Sequence, residues 1–403
     1  MSEMVILIAD AFSSRGVESL EGIARAVHYR PELDAKQLAG AVVETGAHIV
    51  VVRSTKVTAD ALNASDRLSL VIRAGAGVDT IDLAAASRRG IFVANCPGKN
   101  AIAVAELTMG LILALDRRIV DATVELRAGT WNKGKYGKGR GLLGQRLGLV
   151  GFGTIAREVA LRARAFGLDV SAYKPSGVSH ELAEQHHISV APDLDTLLRT
   201  SDIVSVHVPL SDATRHLIGR DQLALMKPAA LLINTARDGV VDDAALAEAV
   251  REGRVRAGLD VFEGEPVAKQ AEFASPLLRH DGVYATPHIG ASTAQAERAI
   301  GDEVVRIIRA YITEGVVHNT VNIVTDREVR YTLVVRHLDR VGVLASILLA
   351  LRERKLNVLD MRNIVFARGE AACATINLQA APEPALLESL RAHEAILAVE
   401  LRG

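Results

Sequence analysis

Short apolar runs alternate with longer stretches of helix formers along most of the chain. VILIAD (5–10), HIVVVR (48–53), LSLVIRAG (68–75) and GIFVANCP (90–97) have lengths that suit strands, and the segments between them are rich in Ala, Leu, Glu and Arg. Strands apolar throughout, separated by helices, predict a parallel sheet covered on both faces. Residues 101–118, AIAVAELTMGLILALDRR, are apolar around most of a helical circumference and predict a buried helix that carries the chain from one lobe to another. A second series starts at 147, with RLGLVGFG, LDVSAYKP, DIVSVHVPL, ALLINTAR, VRAGLDVF and GVYATPHIG as six further strands. The amphipathic residues 294–312 predict a long helix that recrosses to the first lobe, which VVHNTVNIV completes. From 326 the order becomes strand, helix, strand, strand, helix, strand, the ferredoxin-like unit. The expected class is α/β: two Rossmann-like doubly wound parallel-sheet lobes plus a C-terminal ferredoxin-like βαββαβ domain. Its boundaries fall at 1–97 (completed by 295–325), 98–294 and 326–403.

The chemistry starts at RLGLVGFGTIA (146–156), where a short apolar strand meets Gly151-Phe152-Gly153-Thr154-Ile155-Ala156 and then helical spacing. Strand, glycine turn and helix is the setting in which G-x-G-x-x-G/A carries information. Gly151 allows a tight turn, Gly153 lets a pyrophosphate approach the backbone, and the small Ala156 lets the helix lie close to the strand. Phosphates would sit on free N–H groups at the positive end of the helix dipole.

Composition narrows the classes. A net charge of −1 over 403 residues gives no long-range attraction to nucleic acid or an anionic membrane, and no recognition motif for either is present. Cys96 and Cys373 fit neither a disulfide framework nor a metal site, so no metal and a reduced cytoplasm are expected. The N-terminus reads as a first strand and not as a signal peptide, and no apolar run is long enough to span a bilayer. The loop 130–146, TWNKGKYGKGRGLLGQR, is rich in glycine and cations and by itself reads as a solvated loop.

Three further motifs follow the glycine turn. NTARDG puts Arg237 at one strand end, GLDVFEGEP puts Asp260 and Glu265 at the next, and TPHIGAS puts His288 at the last. The crevice of an open α/β sheet lies beyond the carboxyl ends of its strands, so these groups converge beside a nicotinamide. With VVRSTKVTADAL, RAGAGVDTIDL, LGLVGFGTIAREVA, NTARDGVVDDAALAEAV, GLDVFEGEP and PHIGAST, the chain resembles the D-isomer-specific 2-hydroxyacid dehydrogenases.

That resemblance implies roles. Arg237 grips the substrate carboxylate and polarises its 2-keto oxygen, His288 exchanges a proton with the C2 hydroxyl, and Glu265 orients His288 and stabilises its imidazolium. Cofactor contacts fall on Gly151, Gly153, Thr154, Ile155, Lys174, Val208, Thr235, Ala236, Arg237, Asp260, His288 and Ala291. Substrate contacts fall on Arg53, Arg73, Ala76, Gly77, Lys133 and Arg237, a set of cations suited to a phosphorylated 2-hydroxy acid. The implied reaction interconverts 3-phospho-D-glycerate and 3-phosphohydroxypyruvate, at the entry to serine synthesis, in a homodimer or homotetramer. A glyoxylate or hydroxypyruvate reductase stands as the alternative, and a dinucleotide-sensing binding protein without catalysis as a reading of another class.

Three departures bear on this. Lys174 stands where NAD-using relatives often carry aspartate, which leaves NAD or NADP as the cofactor, since lysine accepts no hydrogen bond from the ribose hydroxyls. Ala76 replaces a frequent threonine. The C-terminal part resembles an ACT-type regulatory domain, in which His337, Asp339 and Asn357 match positions that contact an amino-acid effector. HLDRVGVL departs there at Asp339 and Val341, which puts serine itself in doubt.

Overall fold

The structure is a computed structural model that describes residues 3–266, 270–324 and 331–403. It divides into two compact units, Met1–Asn322 and Ile323–Gly403. The expected boundary at 325/326, and REVR at the head of the next strand, lie outside the described residues.

The first sheet contains β1 (Val5–Ile8), β2 (Ala26–Tyr29), β3 (Ile49–Val52), β4 (Leu70–Arg73) and β5 (Phe92–Asn95), in the order β2-β1-β3-β4-β5. All neighbours are parallel. The branched run IVVV of β3 is buried at every position because helices cover both faces. The AVHY strand β2 is absent from the sequence reading. It is an edge strand whose positions are half-buried or exposed, so its apolar pattern is weak.

The second sheet contains β6 (Arg146–Val150), β7 (Asp169–Tyr173), β8 (Ser189–Val190), β9 (Ile203–Val206), β10 (Ala230–Asn234), β11 (Val255–Leu259) and β12 (Val283–Ala285). Its order is β12-β11-β10-β9-β6-β7-β8, so the strand order reverses between β6 and β9, where a doubly wound sheet opens its ligand crevice. Among the described residues there are seven strands here and not six. The extra one, β8, is two exposed residues long and leaves almost no periodic signal.

The helix Ala101–Arg117 lies between these sheets in sequence, and its Ala105, Met109, Ile112 and Leu115 join Leu147, Leu149 and Ile233 in one core. The helix Ala294–Glu314 begins at Thr293, whose hydroxyl accepts from the Ala296 N–H. Its Ile300, Val304, Ile307 and Ile308 pack on Ile6, Ile49 and Leu70 of the first sheet. The chain then runs antiparallel to β5, with Ala94 opposite Thr320 and the Val321 N–H donating to the Val93 carbonyl at 2.8 Å. One carboxylate ties the two crossings together. Glu303 accepts from Arg306 at 2.6 Å and Asn319 at 2.7 Å, and pairs with Lys99 at 3.2 Å.

The second unit has β13 (Tyr331–Leu338), β14 (Val358–Val365), β15 (Ala371–Leu378) and β16 (Ile396–Arg402) in the antiparallel order β14-β15-β13-β16. Ala372, Ala374, Ile376 and Leu378 alternate inward along β15, and the last three meet Ile347, Leu351 and Leu386 from two helices. This is the expected βαββαβ unit. Among the described residues no helix is long and apolar enough to cross a membrane.

Candidate active site

The glycine turn leaves β6 at its carboxyl end. Gly151 has φ 94°, and a Cβ there would stand 2.6 Å from the His207 carbonyl and 2.9 Å from Val208 Cγ1, so only glycine fits. Gly153 is the N-cap of the helix Thr154–Ala165 without a side-chain cap, and a Cβ on it would point into open space. The first turn of that helix, Thr154 and Ile155 included, therefore offers backbone N–H groups to a cradle that any side chain at 153 would fill. Ala156 is fully buried against the Leu147–Leu149 core. These residues fit the pyrophosphate of a dinucleotide. Lys174 is exposed immediately after β7, at the next strand's carboxyl end. Thr235 and Ala236 follow β10 and are buried, with the Thr235 hydroxyl 2.8 Å from that of Thr108.

The acid–base pair sits at the ends of β11 and β12. His288 Nδ1–H donates to Glu265 Oε1 at 2.6 Å, which leaves Nε2 for a substrate. That hydrogen bond is the main reason the imidazole is raised above its ordinary value, against the opposing pull of burial. Glu265 Oε2 is buried with no hydrogen-bond partner among the described residues. His288 adopts φ 51°, a left-handed conformation that a side chain rarely takes. Asp260 explains how it is held. This carboxylate, 1% exposed, accepts from Thr286 Oγ1 at 2.6 Å and from the Ile289 and Gly290 amides at 2.8 Å each. Asp260 thus braces the 286–290 loop from both sides of His288, where the family resemblance implies a cofactor contact. Ala291 follows on the same loop, half-buried.

The residues expected to hold substrate come from both sheets. Arg237, just past β10, donates from Nη1 to the Ala236 carbonyl at 2.7 Å and from Nε to Asp79 Oδ2 at 3.3 Å. A Cβ on Gly77 would run into Arg237 Nη2, so the glycine keeps that nitrogen reachable. Arg73 donates from Nε to the Arg53 carbonyl at 3.0 Å. Burial, then the charges of Arg237 and Arg53, lower its guanidinium below the ordinary value, so the three arginines feel one another's charge. The Ala76 carbonyl accepts from Asn95 Nδ2 at 2.6 Å. Arg53 pairs through Nη1 with Glu297 Oε1 at 2.9 Å, on the wall of a cavity of about 120 Å³ whose lining includes Phe12, Ser13, Ala74 and Ile300.

Two expected groupings do not form within one chain. Lys133 starts a short exposed helix, Lys133–Tyr136, in a loop that runs along the amino ends of the second sheet's strands. There Arg140 reaches the Ala229 carbonyl just before β10, and Gly144 bonds Gly167 just before β7. The arginines stand at the opposite ends. His337 is buried, with Nδ1–H donating to the Leu338 carbonyl at 2.8 Å and Nε2 lying 3.2 Å from Asn363 Oδ1. Asp339 follows it at one end of the small sheet. Asn357 lies at the other end, because Leu338 is registered with Ala371 whereas Val358 is registered with Leu378.

Asp79, Glu297 and Asn100 are absent from the sequence reading. Asp79 is legible only as the acid of RAGAGVD, and Glu297 as the first acid of the long return helix. Asn100 is the N-cap of Ala101–Arg117, yet its Oδ1 is buried without a partner among the described residues.

Residues 109–290 match the family described as D-isomer specific 2-hydroxyacid dehydrogenase, NAD binding domain. The chain is 50% identical over 262 residues to a hydroxypyruvate reductase of Thermotoga maritima, covering 64% of this chain and 83% of that one. It is 41% identical over 319 residues to a D-3-phosphoglycerate dehydrogenase of Methanocaldococcus jannaschii, covering 78% of this chain but 59% of the relative's length. Among solved structures, an NADPH-dependent glyoxylate/hydroxypyruvate reductase of Sinorhizobium meliloti superposes with a TM-score of 0.69 at 28% identity, covering 79% of this chain and 98% of that one.

Proposed function

Because the chain belongs to the D-isomer-specific 2-hydroxyacid dehydrogenases, enzymes that use NAD or NADP, we propose that it interconverts 3-phospho-D-glycerate and 3-phosphohydroxypyruvate, the first step of L-serine biosynthesis. The presence of three arginines, Arg53, Arg73 and Arg237, close enough for Arg73 to bond the Arg53 backbone and to feel both other charges, carries the reading. A substrate with a carboxylate at one end and a phosphate at the other needs cations spread over its length, and a short monoanion does not.

Arg237 Nη2 would bind the carboxylate and the C2 oxygen, its guanidinium already oriented by the Ala236 carbonyl and Asp79. A nicotinamide dinucleotide held at the Gly151–Ile155 turn would supply the hydride acceptor for C2, and in the oxidation His288 Nε2 takes the proton of the C2 hydroxyl. In the reduction Nε2 returns that proton to the new alkoxide. Glu265 holds the opposite nitrogen throughout and stabilises the charged imidazolium. A protein that only senses dinucleotide would have no use for this trio.

A second reading, reduction of unphosphorylated hydroxypyruvate, is favoured by the Arg53–Glu297 pair, which already engages one of the three cations. Steady-state assays decide between them. The phosphorylated keto acid is expected to give the higher kcat/KM, and Arg73→Ala to lower that value far more than the value for hydroxypyruvate; the reverse ranking overturns the reading. Each assay run with NADH and NADPH also tests Lys174. NADPH is expected to be used, and Lys174→Asp to shift preference to NADH; a strong NADH preference unchanged by the variant overturns that choice.

The second unit reads as an ACT-type domain. In a chain paired edge to edge, Asn357 of one copy would approach His337 and Asp339 of the other, which supports an amino-acid effector between copies. Free Cys96 and Cys373 support a cytoplasmic location.

A further inference from the structure

Two of the three arginines are paired with a carboxylate. Asp79 engages Arg237 at the reactive end, and Glu297 engages Arg53 at the far end. They differ in what they leave free. Asp79 takes Nε of Arg237 and leaves Nη2 reachable beside Gly77, so it orients the guanidinium without consuming it. Glu297 takes a terminal nitrogen of Arg53, the face a distal group would need, and its side chain is 52% exposed at the mouth of the 120 Å³ cavity beside Ser13.

We infer that Glu297 is the specificity-determining residue of the distal subsite: it occupies Arg53 when no substrate is bound, and a doubly charged distal group must displace it while a neutral hydroxyl need not. The Arg53 charge is thereby discounted for phosphate, because the incoming group loses both the exposed ion pair and the freedom from a like charge beside it. Glu297 can leave without disturbing the fold. It projects from the first turn of a helix whose capping bond is made by Thr293 and whose buried face is Ala296, Ile300 and Val304.

This inference rests on the reading that the arginine row holds substrate, and the test separates the two. The ratio of kcat/KM for 3-phosphohydroxypyruvate to that for hydroxypyruvate is measured for the wild type, Glu297→Gln and Arg53→Ala. Glu297→Gln is expected to raise the ratio roughly fivefold, the effect of one half-exposed charge, and Arg53→Ala to lower it. If Arg53→Ala lowers the ratio while Glu297→Gln leaves it unchanged or lowers it, Glu297 is only a clamp for Arg53 and the inference falls alone. An unchanged ratio in Arg53→Ala removes the distal subsite and both statements with it. Glu297→Ala provides the same readout should the glutamine variant not fold.

Discussion

His288 shows how a single residue is prepared for its task. Its φ of 51° is unfavourable, and the three hydrogen bonds that Asp260 accepts from the flanking loop hold it there. Glu265 then raises its proton affinity. The sign of the pH dependence follows. A raised imidazole stays protonated to higher pH, so reduction, which needs the imidazolium, persists until pH rises through that raised value, and oxidation gains as it passes. Glu265→Gln removes the carboxylate, so both limbs are expected to move to lower pH, with kcat down roughly 10- to 100-fold. Steady-state pH profiles in both directions check this; unshifted limbs would show that Glu265 does not tune the base. Arg237, Glu265 and His288 were legible because each ends a strand in a short motif. Asp79 and Glu297 were not, since an acid in a loop or on a helix face looks like any solvated charge until its partner across 158 or 244 residues is known.

Among elements, the strands that escaped the sequence are those least buried. β3 and β10 are buried at every position, whereas β2 is half-exposed and β8 has two residues. Burial on both faces writes the signal, and edges receive less of it. The return helix Ala294–Glu314 was legible from its stripe, but the node at Glu303 was not. Arg306, then Asn319 and Lys99, hold that carboxyl down at about 2. A depressed carboxyl stabilises the fold above its unfolded pKa, and that contribution is lost as pH falls from about 5 toward 2. Glu303→Gln is expected to cost about 2 kcal/mol at pH 7 and much less at pH 3. Denaturant unfolding at the two pH values checks it, and an equal cost at both would show that packing and not charge is at work.

For the whole molecule, one surface stands out. The helix Ile119–Arg127 has no buried residue and exposes Ile119, Val120, Val124 and Leu126, with Trp131 80% exposed just beyond it. Apolar groups gathered this way are characteristic of association surfaces, and we propose that copies of this chain associate through this face. Val124→Asp combined with Trp131→Ala is expected to lower the mass seen by analytical ultracentrifugation to that of a single 43.0 kDa chain. An unchanged mass places the interface elsewhere.

The brace that Asp260 applies to the 286–290 loop has a consequence for inheritance. The proton-handling groups are fixed by one another, within a single stretch of the chain, before any substrate arrives. The groups proposed to judge the far end of the substrate, Arg53, Arg73 and Glu297, lie on other segments and take no part in that brace. A lineage can therefore alter what it consumes by exchanging a residue such as Glu297 and never have to reinvent how the proton moves.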